Sequence, residues 1–358
     1  MGATVARDAS RTLLGLAACV LLGLAAAGVR ANGGSDPRPE ASPAARLAKG
    51  SQASEYWDLA ATFDSGHHIF VRFQVTNAGP GDYTAYALGH LVFPDGQVVQ
   101  FQNGRLERNW QISEDRLRLE VGSSLLDLHA PVQHFEVDKN KKGIKLFFDY
   151  TGTGPIRSWP SPPDGYHLDL LTLGGAISGS LWVRGVTAEP VSVEGTVTVT
   201  HAWMDDQESE LARLRVEPYG MAATADGSHL YAVGVEPTKG PARSWMLVRT
   251  GEKWLETDRF AFSRIGDDAS APARYPLPTS LSLRGADVSG RVDFGRTLLR
   301  HDPLTLAPAL FRWALSLRSK PSQVWLESRY AIEWRGGGKP LALQGKGVTS
   351  FYYLNPLK

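Results

Sequence analysis

The feature that most constrains this chain is the period of its apolar residues, which is two and not 3.6. Ile69, Val71, Phe73 and Val75 alternate with Phe70, Arg72, Gln74 and Thr76. Leu117, Leu119 and Val121 alternate with Arg116, Arg118 and Glu120, and Trp313, Leu315 and Leu317 alternate with Arg312, Ala314, Ser316 and Arg318. Successive side chains of an extended strand point to opposite faces, so these runs predict strands with one apolar side. Turn chemistry separates them at Pro94-Asp95-Gly96, Asn140-Lys141-Lys142-Gly143, Asp226-Gly227 and Gly336-Gly337-Gly338. Pro303 and Pro308 disfavour a helix around the third run. No long amphipathic helix and no exact internal repeat is present. The expectation is an all-β chain of antiparallel sheets, closed into barrels or stacked as sandwiches.

The first 31 residues read as a targeting device. Arg7 and Arg11 precede an apolar run from Thr12 to Gly28, and Val29-Arg30-Ala31 offers a cleavage site after Ala31. Cys19, the single cysteine, follows Leu16-Ala17-Ala18 in the manner of a lipoprotein box, so a lipid anchor through Cys19 is the alternative to cleavage. An uncleaved anchor is a third option, and membrane contact is expected only through this segment. The residues after it contain no thiol, which excludes disulfides, thiolate metal sites and cysteine nucleophiles there. Export without disulfides points to the periplasm or cell envelope. Cleavage leaves 35 basic against 36 acidic residues, a balance that gives a nucleic-acid surface no support. Residues 32–53, rich in Pro, Ala, Gly and Ser, read as a flexible linker. The roughly 300 residues left exceed one compact domain, and the expected division is 54–205 and 206–358, with the boundary near Asp206.

Several chemistries are missing. There is no phosphate-cradling glycine loop, no His-Glu-x-x-His, no calcium loop and no Gly-x-Ser-x-Gly elbow. His67 and His68 are adjacent, but neighbours on a strand point apart and make a poor chelate, so no metal site is expected. The informative stretch is Gly195 to Asp206. On a strand, Val197, Val199, His201, Trp203 and Asp205 share one face, with threonines and Ala202 on the other. The valines suggest an inward face that delivers an imidazole, an indole and a carboxyl group together. A carboxyl group held against Trp203 would keep its proton near neutrality, and His201 could orient it. The plainer reading makes His201 a hydrogen-bonded core residue and Asp205-Asp206 the start of a solvated turn. Ten tryptophans are available to fill a barrel or line an apolar pocket. Tyr231 and Trp245 are pocket candidates beside Trp203, while Glu208-Ser209-Glu210 reads as solvated surface.

Around this strand the sequence resembles the lipocalin-like proteins of the carotenoid 1,2-hydratase and AttH group, which is similar to fungal survival-factor proteins and to fungal Diels–Alderases. The resemblance rests on Thr62 to Phe73, Gly174 to Leu181, Val193-Glu194-Gly195 with the His201 to Asp206 segment, Tyr330 to Trp334 and Gly345 to Thr349. It implies two tandem lipocalin-like β-barrels and a hydrophobic ligand held within or between them. Asp205 keeps the place of the family aspartate. Asp206 replaces the histidine that usually follows, and the Trp-Gly after it is absent. Two functions follow as expectations. One is an exported protein that binds a lipid or isoprenoid. The other is a cofactor-free hydratase or cyclase with Asp205 as acid, His201 orienting it and Trp203 facing the cation. Neither requires a metal or organic cofactor, and nothing in the sequence sets an oligomeric state.

Overall fold

Strand-period sequence forms strands almost throughout the computed structural model, which describes residues 40–77, 83–139, 141–222, 227–306, 320–336 and 340–356. The export segment with Cys19, linker residues 32–39 and the strand expected around Trp313, Leu315 and Leu317 lie outside the described residues. So do Asn140, Asp226, Gly337 and Gly338 of the expected turns.

The first sheet contains β1 (Ser54–Phe63), β2 (His68–Thr76), β3 (Thr84–Val92), β4 (Val98–Arg105), β5 (Trp110–Ile112) and β6 (Arg118–Val121). It continues with β7 (Ser124–Asp127), β8 (Val132–Lys139), β9 (Ile144–Thr151), β10 (Arg157–Ser158), β11 (Tyr166–Val183) and β12 (Val191–Met204). Its order is β4-β3-β2-β1-β12-β11-β9-β8-β7-β6-β5, antiparallel throughout, with β10 paired to β11. The sheet curls until β4 returns toward β6 and β7, where Asn103 Nδ2 donates to Ser124 Oγ at 2.6 Å.

After Met204 the chain bends, makes one helical turn, α1 (Glu208–Leu211), and enters the second sheet at β13 (Ala212–Ala222). That sheet adds β14 (His229–Pro237), β15 (Arg243–Thr250), β16 (Lys253–Thr257), β17 (Phe260–Ile265), β18 (Ser280–Gly285), β19 (Val288–His301), β20 (Ser322–Trp334) and β21 (Leu341–Tyr353). Its order is β16-β15-β14-β13-β21-β20-β19-β18-β17, and it curls so that β15 approaches β17. The fold is two nearly closed antiparallel barrels in tandem.

Alternation explains the strands and also shows which ones meet the other barrel. On β9, Ile144, Leu146, Phe148 and Tyr150 are buried, while Lys145, Phe147, Asp149 and Thr151 are exposed. This is the one-sided strand that period two predicts. On β1 and β12 both faces are buried. Trp57, Leu59, Ala61, Val197 and Val199 fill the first barrel. Tyr56, Ala202 and Met204 point the other way, into a third apolar cluster with Tyr219, Tyr231, Trp245 and Trp325 of the second barrel. The barrels therefore pack side by side through the outer faces of β1, β2, β11 and β12. The threonine and alanine face of β12 is an interface.

Candidate functional site

The predicted strand is extended through Met204, and its odd-numbered face points into the first barrel as expected. His201 is wholly buried and stacks on Trp57, with ring centroids 4.6 Å apart. Trp203 lies 5.0 Å from His201 and stacks on His167, with Arg46 above it. The acid is where expectation and geometry differ. Asp205 lies past the strand end in a bend and is exposed. The carboxyl groups beside His201 come from neighbouring strands instead. Glu55 Oε1 lies 2.8 Å from His201 Nε2, and Asp169 is the cross-strand partner of His201 on β11. His68 opens β2 and lies 3.2 Å from Thr62 Oγ1, while His67, just before the strand, lies 2.9 Å from Ser65 Oγ.

The partners of this cluster show what it is for. Glu55 accepts the backbone N–H groups of Arg46 at 2.7 Å and Leu47 at 2.8 Å. Trp57 Nε1 donates to Pro43 O at 3.0 Å, and His201 Nδ1 lies 3.1 Å from Ser42 O. Asn77 Nδ2 donates to Ala48 O and Gly50 O. Residues 42–50 are thus strapped across the end of the first barrel, with Ala45 buried in its core. The described part of the expected linker is held in place because side chains inside the barrel satisfy its backbone. Glu55→Ala should cost about 2–3 kcal/mol, since it strands two backbone donors and an imidazole. Amide exchange at Arg46 and Leu47 should rise with it. Unchanged exchange there would show that the strap does not depend on Glu55.

The richer constellation lies between the barrels and was not read from sequence. Arg72 on β2 donates to both carboxyl oxygens of Asp58 on β1, at 2.6 and 2.5 Å. Arg215 on β13 lies 2.9 Å from Glu208 Oε1, 3.2 Å from Glu217 Oε2 and 3.7 Å from Asp58 Oδ2. Arg215 also donates to the Tyr56 hydroxyl, which lies 2.8 Å from the Tyr166 hydroxyl and donates to Glu208 Oε1 at 3.0 Å. Tyr231 donates to Glu217 Oε1 at 3.0 Å. Each of the five charged side chains is at least nine-tenths buried. Glu208, expected on the surface, belongs to this cluster because α1 folds it back against β1 and β13.

Three carboxyl groups here face two guanidinium groups among the described residues, so one acid has no cation of its own. Burial raises the pKa of Glu217, Arg215 only partly opposes this, and the neighbouring Asp58 adds to it. Burial also works against the Arg215 cation, but Glu208 and Glu217 outweigh it and keep the guanidinium charged. Desolvation pushes the phenols of Tyr56, Tyr166, Tyr219 and Tyr231 up, so all four remain neutral. The cluster thus holds a carboxyl group, Glu217, whose charged form burial disfavours, next to fixed charges.

A cleft of about 220 Å³ borders the cluster. Arg72, Glu208 and Tyr352 form its inner wall, and Phe70, Leu88 and Leu304 give it apolar surface. Gln102 also lines it, and the Oε1 of Gln102 has no partner among the described residues. Of the predicted ligand-binding residues, Tyr231 and Trp245 lie in the inter-barrel core beside this cluster, while Trp203 lies at the strapped end of the first barrel. Trp245 donates to Glu256 at 2.9 Å and stacks parallel to Trp159. Among the described residues no group of three or more His, Cys, Asp or Glu is arranged to hold a metal.

No family model matches the chain, and no curated protein matches it in sequence. Solved structures match over most of its length. An AttH-type protein from Nitrosomonas europaea has a TM-score of 0.61 at 14% identity, covering 85% of this chain and 93% of that one. CghA, crystallised with Sch210972, has a TM-score of 0.61 at 10% identity, covering 88% and 96%. Kievitone hydratase from Nectria haematococca has a TM-score of 0.53 at 12% identity, covering 87% and 94%. At these identities the likeness is one of fold, and it agrees with the resemblance carried by the sequence motifs. The chain has the two-barrel, lipocalin-like fold of AttH-type proteins, CghA and kievitone hydratase.

Proposed function

We propose that the protein binds an apolar, unsaturated small molecule in the inter-barrel cleft and adds water to it, or cyclises it, by acid–base chemistry from its own side chains. The observation that carries this reading is the excess acid: three buried carboxyl groups, Asp58, Glu208 and Glu217, face two guanidinium groups, burial raises the pKa of Glu217, and Glu208 of the same cluster lines the cleft. A carrier needs apolar surface and little else, since burying each methylene is worth about 0.8 kcal/mol. Five charged side chains at the barrel interface give nothing to passive binding, and an apolar interface of the same volume is often as stable. A carboxyl group whose pKa burial raises, set beside a fixed cation, is an arrangement suited to a general acid. The name of kievitone hydratase, a protein of the same fold, favours hydration over transport.

The cleft is smaller than the roughly 300–1,000 Å³ usual for drug-sized ligands. It suits a small ring system or the unsaturated end of a longer chain, with polar oxygen against Arg72 and Glu208. Residues 1–31 are part of the proposal as an export signal, which would place the reaction in the cell envelope.

The test incubates the purified protein, in water labelled with heavy oxygen, with a panel of unsaturated isoprenoids, and follows label by mass spectrometry. Label should enter one of these compounds. Asp205→Asn should leave the rate within about twofold, because an exposed side chain beyond the strand end lacks the dry surroundings a strong proton donor needs. A compound that binds and never gains label would return the protein to the carrier reading. Loss of turnover in Asp205→Asn would move the acid to Asp205.

A further inference from the structure

The cleft is the gap between two rows of side chains that start from the ion network. In the first barrel, Asp58, Arg72, Leu88 and Gln102 are paired in turn across β1, β2, β3 and β4. In the second, Arg215, Tyr352 and Gln323 are paired in turn across β13, β21 and β20. The rows meet at their charged ends, where Arg215 lies 3.7 Å from Asp58. Beyond that contact Arg72, Leu88 and Gln102 line the cleft from one barrel, and Tyr352 and Gln323 line it from the other.

The charged side chains on this wall are satisfied by one another. Arg72 donates twice to Asp58, and Glu208 is held by Arg215 and the Tyr56 hydroxyl. The polar groups left over are neutral. Gln323 is only 6% exposed, and its side-chain amide has no hydrogen-bond partner among the described residues. Neither amide atom is fully sealed by protein, so the space they reach is the cleft that the residue lines. Strand alternation agrees. Val324 and Leu326 point into the second barrel, and Gln323 shares the opposite, inter-barrel face with Trp325. The hydroxyl of Tyr352, its neighbour on β21, also has no partner among the described residues, and burial keeps that phenol neutral.

We infer that Gln323 and Tyr352 set the substrate class: they hold the hydroxyl group of a neutral isoprenoid alcohol whose hydrocarbon lies against Phe70, Leu88 and Leu304. The inference rests on the inter-barrel ligand site proposed above and names what that site selects. Burying an amide without a partner is unfavourable, and a ligand oxygen at Gln323 removes that penalty. An amide offers both donors and an acceptor, and a phenol offers a donor, so a group that gives and takes hydrogen bonds fits both. A hydroxyl does so. A carboxylate or phosphate does not fit. Arg72 is engaged by Asp58, and the network holds three carboxyl groups against two guanidinium groups, so an anion meets surplus acid and no free cation.

The experiment titrates the full protein by calorimetry with four monoterpenes that differ at one end: myrcene, geraniol, geranic acid and geranyl diphosphate. Wild type should bind geraniol about tenfold more tightly than myrcene, the worth of one or two neutral hydrogen bonds. The acid and the diphosphate should bind about 100-fold more weakly than geraniol. Gln323→Leu and Tyr352→Phe should each reduce the preference for geraniol over myrcene to about threefold or less, while myrcene affinity stays within about twofold. Tyr352→Phe keeps the ring beside Arg72 and Arg215, so it decides alone if Gln323→Leu does not fold.

Equal affinity for geraniol and myrcene in wild type would overturn the inference. So would an anion that binds more tightly than the alcohol, a preference untouched by both substitutions, or a wild type that binds none of the four. Heavy-oxygen incorporation is read separately. Label that enters without any preference for the alcohol would remove the inference and leave the hydratase reading standing. A geraniol preference that both substitutions abolish, in a protein that never incorporates label, would support the inference and return the protein to the carrier reading.

Discussion

Arg215→Met should lower the folding free energy by about 3–5 kcal/mol, the usual cost of removing one partner from a buried ion network. The magnitude follows from what the guanidinium touches. It is the only cation within 3.7 Å of Glu208 and Glu217 among the described residues, and it also reaches Asp58 and Tyr56. Methionine fills a similar volume and packs against the same rings, so little of the loss comes from a cavity. The loss comes from carboxyl groups left in an apolar interface without a cation. The counter-experiment separates pairing from burial. Arg215→Met combined with Glu208→Met and Glu217→Leu removes all three charges together and should recover most of the stability, because a well-packed apolar trio is often at least as stable as the ions it replaces. Urea unfolding at pH 7 reads both. An Arg215→Met protein as stable as wild type would mean that water already reaches the cluster.

The division between what sequence shows and what it hides follows from this same interface. Period two was plain because each strand has one face on a barrel core, and Ile69, Val71, Phe73 and Val75 all lie there. The opposite face carries no rule of its own. On β2 it holds Phe70 and Arg72, which in an isolated sheet would face solvent and here face a second barrel. Arg215, Glu217 and Tyr219 alternate in the same way along β13, with Leu214 and Val216 turned into the second barrel. A charged residue at every second position usually marks a solvated face. Only the docking of another sheet turns that pattern into a buried cluster, and no local period records docking.

The strand from Val197 to Trp203 was legible in its backbone, its inward face and the company of His201 and Trp203. It was not legible in its chemistry. The residues that meet His201 are Glu55 on β1 and Asp169 on β11, each more than 30 positions away in sequence. Asp205 is nearer in the chain but lies past the strand end at Met204 and is exposed. The strap at residues 42–50 was hidden for a related reason. Its composition is that of a tether, and it is ordered by hydrogen bonds to its backbone, which composition does not encode.

Glu217→Gln is the substitution that most directly separates structure from chemistry. Glutamine keeps the size of glutamic acid, can accept from Tyr231 and fits the same site, so the fold should survive. The pH dependence gives an independent sign. Because Glu217 is raised above the ordinary 4.5, the native protein holds a proton that the unfolded chain has given up. Its contribution to stability is therefore full below pH 4.5 and declines as pH rises toward the native value. In Glu217→Gln that decline should be missing, so the variant should gain on wild type as pH rises from 4.5 through the native value. Activity should move the opposite way. Glutamine has no proton of the needed acidity, and loss of a general acid in a dry site costs about 10²–10⁴-fold. A variant that gains on wild type as pH rises and hydrates about 10³-fold more slowly would show that Glu217 supplies the proton. If Glu217→Gln hydrates at the wild-type rate, the proton comes from elsewhere, and Glu208, which shares Arg215 and lines the cleft itself, is the next carboxyl group to replace.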